Sequence, residues 1–228
     1  MKKPYISKLR TIGKITVWIV DGEYVRDYLS EEFTNFAEHY RFRFIPTNEF
    51  WIDKEYDPGE EDFFIHHLLV EWRLVRQGME YDKALGYADR SERAERRKSL
   101  AVRLKRVRGN AALLKRIRKK HLTTYRNGLR VWLVRGELVR DFYFTDYTEG
   151  GHDKIYAFIP KSEIWIDDDL SPHERRFVLL HEVHERRLMA GGWRYPQAHR
   201  SASELEYLCR HHTALLSKKL REEIRLNK

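Results

Sequence analysis

The side chains best suited to chemistry are concentrated in Leu180-His181-Glu182-Val183-His184-Glu185-Arg186. On a helix, His181 and Glu185 are i and i+4, so an imidazole and a carboxylate share one face and can converge on one cation. Glu182 flanks the pair, where a carboxylate could act as base on a metal-bound water. His184, three residues after His181, is an alternative ligand on the same helix. Eighteen residues after His181 comes His199, in a second helix that begins near Pro196 and continues through Glu206 towards Ile224. His199 and Glu206 are seven apart and so lie on one face, with small Ala198 and Ala202 permitting close helix approach. Either one could complete a His-Glu-His or His-Glu-Glu set. Such a set holds a divalent transition metal, zinc first, with iron or manganese as alternatives.

The bland alternative is a solvated, salt-bridged helix face, and the sequence contains its own control. Shifting the chain by 114 residues lays Val17-Trp18-Ile19-Val20-Asp21-Gly22-Glu23 on Val131-Trp132-Leu133-Val134-Arg135-Gly136-Glu137, and Trp51-Ile52-Asp53 on Trp165-Ile166-Asp167. Across 17–92 and 131–206, 28 of 76 positions are identical without a gap, so the chain is a tandem duplication. His67, Glu71 and Glu92 match His181, Glu185 and Glu206. Glu182, His184 and His199 become Leu68, Val70 and Leu85. Three polar groups lost together are what a site decayed in one copy leaves behind. The tryptophan pairs recur in both copies and read as core anchors.

The elements that must position these residues repeat as well. The fold class expected is α+β: a pseudo-dimer within one chain, each copy a four-stranded antiparallel-rich sheet followed by two helices. Val131–Val134 and Leu138–Phe142, around Arg-Gly-Glu, read as a hairpin. Ile155–Ile159 and Glu163–Asp167 read as two further strands. Ser171-Pro172-His173-Glu174 opens the first helix, which runs to Gly191-Gly192. Tyr147 to Asp153 reads as a hairpin turn; alternatively its glycines set His152 over the helix site as a substrate or metal contact. The expected domains are 1–92 with a degenerate site, a basic helical connector at 93–125, and 126–228 with the candidate metal site.

The net charge of +9 is local. Arg93 to Lys120 holds 13 Lys/Arg and one acid, leaving 31 basic against 34 acidic residues elsewhere. Nucleic acid or an acidic partner could be met there through Arg103, Lys105, Arg106, Arg108, Lys115, Arg116, Arg118, Lys119 and Lys120. The blander expectation is a solvated helical pair, because the stretch lacks an aromatic stacking platform. A single cysteine, Cys209, excludes an intramolecular disulfide and a cysteine-based zinc site. No apolar run reaches the roughly 18–20 residues of a membrane span. The expectation is a soluble cytoplasmic protein with no membrane partner, with virion association as the alternative.

A strand, a short acidic loop, a helix with His-Glu-x-x-(His/Glu) and a helix with a further ligand together resemble the minimal core of zincin-type metallopeptidases, especially small gluzincin-like ones. The resemblance covers about residues 163–206. It implies His181 and Glu185 as ligands, Glu182 as general base and His199 or Glu206 as third ligand. Glutamate at 185 departs from the family's second histidine and leaves metal identity and peptidase activity open. The block from Gly150 to Asp167 is similar in character to small microbial and phage proteins. The function expected is a metal-dependent hydrolase with one active and one degenerate copy. The alternative is a non-enzymatic binding protein that uses the basic connector.

Overall fold

The computed structural model describes residues 4–227. The first copy comprises β1 (Tyr5–Ile12), β2 (Ile15–Val20), α1 (Gly22–Tyr28), β3 (Phe36–Glu38), β4 (Glu49–Asp53), α2 (Glu61–Arg76) and α3 (Tyr81–Lys98). Two short helices follow, α4 (Leu100–Leu104) and α5 (Asn110–Ile117). The second copy repeats the order: β5 (Arg118–Thr124), β6 (Arg130–Val134), α6 (Gly136–Phe142), β7 (Gly150–His152), β8 (Glu163–Asp167), α7 (Glu174–Ala190) and α8 (Tyr195–His211), ending in α9 (Leu216–Leu226).

The α+β class is observed, and the two sheets have equivalent strand orders, β1-β2-β4-β3 and β5-β6-β8-β7. They are mixed rather than antiparallel-rich. The outer pairs are antiparallel, while the central pairs β2–β4 and β6–β8 run parallel. Two parallel strands need a crossover between them, and α1 and α6 lie in those crossovers. The residues 138–142 expected as a hairpin strand are therefore helical. Gly136 decides this locally: its N–H donates to Asp167 Oδ1 at 3.2 Å. A Cβ there would lie 1.8 Å from Asp167 Oδ2. Gly22 and Asp53 make the same contact in the first copy, at 3.1 Å and 1.8 Å.

Ile155–Ile159, expected as a strand, is a loop, and the third strand is instead β7, where a turn was expected. The basic stretch is helical through α3, α4 and α5 but ends in strand β5. The long second helix expected to run to Ile224 breaks after His211 and restarts as α9. α7 begins at Glu174, two residues past the proline expected in its first turn, with the Glu174 N–H donating to the Ser171 hydroxyl at 3.2 Å.

Alternation along the strands gives each sheet two faces. In the first copy Ile15, Val17, Ile19, Phe50 and Ile52 pack on Phe64, Ile65 and Leu68 of α2. Val20 and Trp51 pack on Val25, Phe33 and Ile45 across the other face. In the second copy Val131, Leu133, Ile164 and Ile166 meet Val178 and Val183 of α7. Trp51 and Trp165 are buried core anchors, and their indole N–H groups donate to Glu49 and Glu163, each at 2.9 Å.

Spatially the chain forms two compact units, residues 1–107 with 137–146, and residues 108–136 with 147–228. The first unit thus includes most of α6, where Arg140 bonds Glu60 with two of its nitrogens and Asp141 accepts from Arg96 at 2.9 Å. No helix among the described residues is long and apolar enough to cross a membrane.

Gly136→Ala forces the Asp167 carboxylate out of its place. It should lower unfolding free energy by about 2 kcal/mol or more in urea titration, the cost of overpacking a closed site. Gly128→Ala, in an open turn, should cost less through steric crowding, although its φ of 83° adds backbone strain.

Candidate metal centre

The helices α7 and α8 pack against each other and bring three ligand-type atoms together. His199 Nδ1 lies 2.9 Å from Glu185 Oε2 and 3.1 Å from His181 Nε2. His181 Nε2 lies 3.6 Å from Glu185 Oε2. Donors about 2.0–2.2 Å from a tetrahedral cation are separated by roughly 3.3 Å, so the three atoms have the spacing of one face of such a tetrahedron. The i,i+4 spacing on α7 supplies two of them. Buried Ala198 and Ala202 of α8 permit the approach that supplies the third.

Glu206 does not join the three converging atoms. Its Oε2 lies 3.0 Å from Nδ1 of His181, on the imidazole edge away from His199. Glu206 also accepts from Arg210 Nε at 2.9 Å, and Arg210 grips Glu174 with two nitrogens at 3.0 and 2.8 Å. The result is a buried chain, Glu174–Arg210–Glu206–His181, which leaves Nε2 of His181 pointing into the cluster. A carboxylate on the far nitrogen of a histidine ligand fixes its tautomer and orientation. His184 also lies apart from them. Its Nε2 meets Ser201 Oγ at 3.0 Å and its Nδ1 meets Glu223 at 3.1 Å, outside the cluster.

His152 is held in β7, not in a flexible turn, and is fully buried, so it is not placed to touch a substrate. Its Nδ1 accepts from the Lys154 N–H at 3.1 Å, which leaves Nε2 to donate to Glu185 Oε1 at 2.9 Å. His152 therefore orients the carboxylate whose other oxygen faces the two histidines. Burial, only partly offset by Glu185, holds His152 below its ordinary pKa and so neutral. The glycine ahead of it matters too. A Cβ on Gly150 would stand 2.8 Å from Val178 Cγ1 and 3.1 Å from Glu182 Oε1, so only glycine lets β7 lie this close to α7.

Glu182, buried beside the cluster, has an Oε2 with no hydrogen-bond partner among the described residues. Burial and the nearby Glu185 charge push its pKa up to about 8. Glu185 moves the other way: burial is overcome by hydrogen bonds from His152, His181 and His199, which hold it well below the carboxylate range. His181, despite burial, is raised by Glu185 and Glu206. His152, Glu182 and Glu185 also place ligand-type atoms within 4.8 Å of one another, so several residues here could hold a metal ion. Asp167, Asp168 and Asp169 cluster as well. Two of them are committed to the fold, Asp167 to Gly136 and Asp168 to Lys119.

The first copy retains the supporting chain and loses the cluster. His67 Nδ1 meets Glu92 at 2.9 Å, Glu92 accepts from Arg96 at 2.8 Å, and Arg96 meets Glu60 at 2.8 Å. Phe36 stands where Gly150 does, its ring 4.6 Å from Phe64 and 5.1 Å from His67 between centroids. Glu38 replaces His152 and lies against Glu71. Two buried carboxyls in contact cannot both ionise, and burial with the Glu71 neighbour pushes Glu38 up to about 8.

Among the basic residues, Arg118 pairs with Glu163 at 2.7 Å, Lys119 with Asp168, and Lys105 with Asp141 at 3.6 Å. Arg103, Arg106, Arg108, Lys115, Arg116 and Lys120 are exposed, and the nine are divided between the two units.

Arg210, Glu174 and Gly150 escaped the motif reading. For Glu174 and Arg210 the signal lay in the repeat, since Glu60/Glu174 and Arg96/Arg210 recur at the same shift, whereas Gly150 is matched by Phe36.

Glu38 binds its proton more tightly in the folded chain than in the unfolded one. Its contribution is therefore full below about 4.5 and is lost as pH rises towards about 8. Relative to Glu38→Gln, wild-type stability should fall by up to about 1.4 kcal/mol per pH unit across that window. Urea unfolding of both proteins at pH 5 and pH 8 checks this, and an unchanged difference would refute it. No family model, curated protein or solved structure matches this chain.

Proposed function

We propose that the second copy is a mononuclear metallohydrolase centre, with His181, Glu185 and His199 as ligands and Glu182 as general base. The convergence of His181 Nε2, His199 Nδ1 and Glu185 Oε2 within 3.6 Å carries the reading. Two imidazoles and one carboxylate suit zinc, with iron or manganese as the alternatives. Bound there, the cation would act as a Lewis acid and lower the pKa of water. The His199 side chain is 36% exposed, so the cluster is reachable from solvent on the α8 side. Glu206 and Arg210 hold His181 in register, and His152 holds Glu185. Glu182 has an unpartnered oxygen beside the cluster, where a carboxylate can take and return a proton. The likeness to zincin-type peptidases suggests amide bonds as the substrate class.

Nucleic-acid binding through the basic stretch is the weaker reading, because Lys105, Arg118 and Lys119 already face carboxylates within the fold.

The purified chain, loaded with zinc and dialysed, should retain about one equivalent by elemental analysis. His199→Ala should lose it, and His67→Ala should keep it. Glu182→Gln should keep the metal yet lower cleavage of a mixed fluorogenic peptide library by roughly 100-fold or more. Zinc retained equally by His199→Ala would sink the ligand assignment. A metal-loaded chain inert towards the library would remove the peptidase reading while leaving the metal centre standing.

A further inference from the structure

A cavity of about 380 Å³ opens in the second unit, away from the histidine cluster, lined by Tyr125, Arg126, Asn127, Arg221, Ile224 and Arg225. Its walls are the turn between β5 and β6 and the last turns of α9. That turn has five residues between its strands, against two, Gly13 and Lys14, between β1 and β2. The extra length provides one wall of the cavity. Asn127 locks it in place: its side-chain N–H₂ donates to the carbonyls of Ile224 at 3.2 Å and Asn227 at 2.5 Å. Its Oδ1 accepts from the Leu129 N–H at 3.2 Å. Both walls are therefore fixed before any ligand arrives.

The lining has an unbalanced charge. Arg221 and Arg225 are i and i+4 on one face of α9, and Arg126 faces them from the turn. Among the described residues none of the three guanidiniums has a hydrogen bond or ion pair. The neighbouring acids of α9 are engaged elsewhere, Glu222 with Lys219 and Glu223 with Arg187 and His184. No acid lines the cavity. Between the arginines lie the Ile224 side chain and the half-buried ring of Tyr125.

Guanidinium forks bind phosphate oxygens bidentately and stack on planar rings. An aromatic ring beside them offers a face for a base. The volume lies within the range of small-molecule sites. We propose that this cavity binds a mononucleotide-sized ligand, its phosphate held by Arg221, Arg225 and Arg126 and its ring against Tyr125 and Ile224. The proposal does not depend on the metal centre.

Calorimetric titration of the full chain with adenosine 5′-monophosphate should give saturable one-to-one binding. Inorganic phosphate and adenosine, each supplying half of the contacts, should bind at least about tenfold more weakly. Arg221→Ala with Arg225→Ala should weaken the nucleotide by roughly tenfold or more while circular dichroism stays unchanged. Tyr125→Ala should weaken the nucleotide but leave phosphate alone. Three results would overturn the proposal: no saturable nucleotide binding, phosphate binding as tightly as the nucleotide, or a folded double variant that binds undiminished. Binding of a ten-residue oligothymidylate without binding of the mononucleotide would also overturn it, in favour of a polymer.

Discussion

The buried chain from carboxylate to guanidinium to carboxylate to imidazole is the constraint on which each helix pair depends. In the second copy it runs Glu174–Arg210–Glu206–His181, and in the first Glu60–Arg96–Glu92–His67. Each member is buried or nearly so, and burying such charges is tolerable only when every one has a partner. The arginine spans α7 and α8, or α2 and α3, so it fixes how the two helices meet. It also decides which nitrogen of the histidine faces away. Whatever chemistry occurs at Nε2 of His181 is set up by a residue 29 positions later that never touches it.

The two copies keep this chain and differ in what surrounds its end. Beside His181 stand His199, Glu182 and, through Glu185, His152. Beside His67 stand aliphatic Leu68 and Leu85 in sequence, the Phe36 ring, and a Glu38–Glu71 carboxyl pair. The part that positions is shared, and the surroundings of His199, Glu182 and His152 are private to one copy. Phe36 against Gly150 is the sharpest contrast. An aromatic ring seals the strand–helix gap in one copy, and the absence of any side chain lets strand and helix close on Glu182 in the other.

Much of this was legible from residue types and spacing. Periodicity on one helix places His181 and Glu185 on a shared face, and small Ala198 and Ala202 beside His199 mark the face on which the next helix can approach. The duplication shows as a match of residues, and both copies adopt one topology. What escaped depends on contacts distant in sequence. Gly136 looked like a hairpin turn because the runs around it are rich in β-branched and aromatic residues. Asp167, 31 residues on, makes it a helix start instead. A three-residue strand such as β7 has too little pattern to announce itself, so His152 was placed on a flexible turn. Glu206 has the spacing of a ligand, and only the pairing of Nδ1 reveals it as a support. The exposed face of the basic stretch gave no such surprise, since its charges follow directly from composition.

The inclusion of residues 137–146 in the first unit bears on how the chain is made. Glu60 needs Arg140 as well as Arg96, and Arg96 needs Asp141. These partners emerge from the ribosome some 80 and 45 residues later than the groups they satisfy. Domains usually fold in order as they are synthesised. Here the first unit cannot complete its buried ion network until synthesis has passed residue 141, by which point β5 and β6 of the second sheet have already been made. Completion of that network therefore overlaps with synthesis of the second sheet, and a nascent chain halted at the repeat boundary holds Glu60 paired with Arg96 but not yet with Arg140.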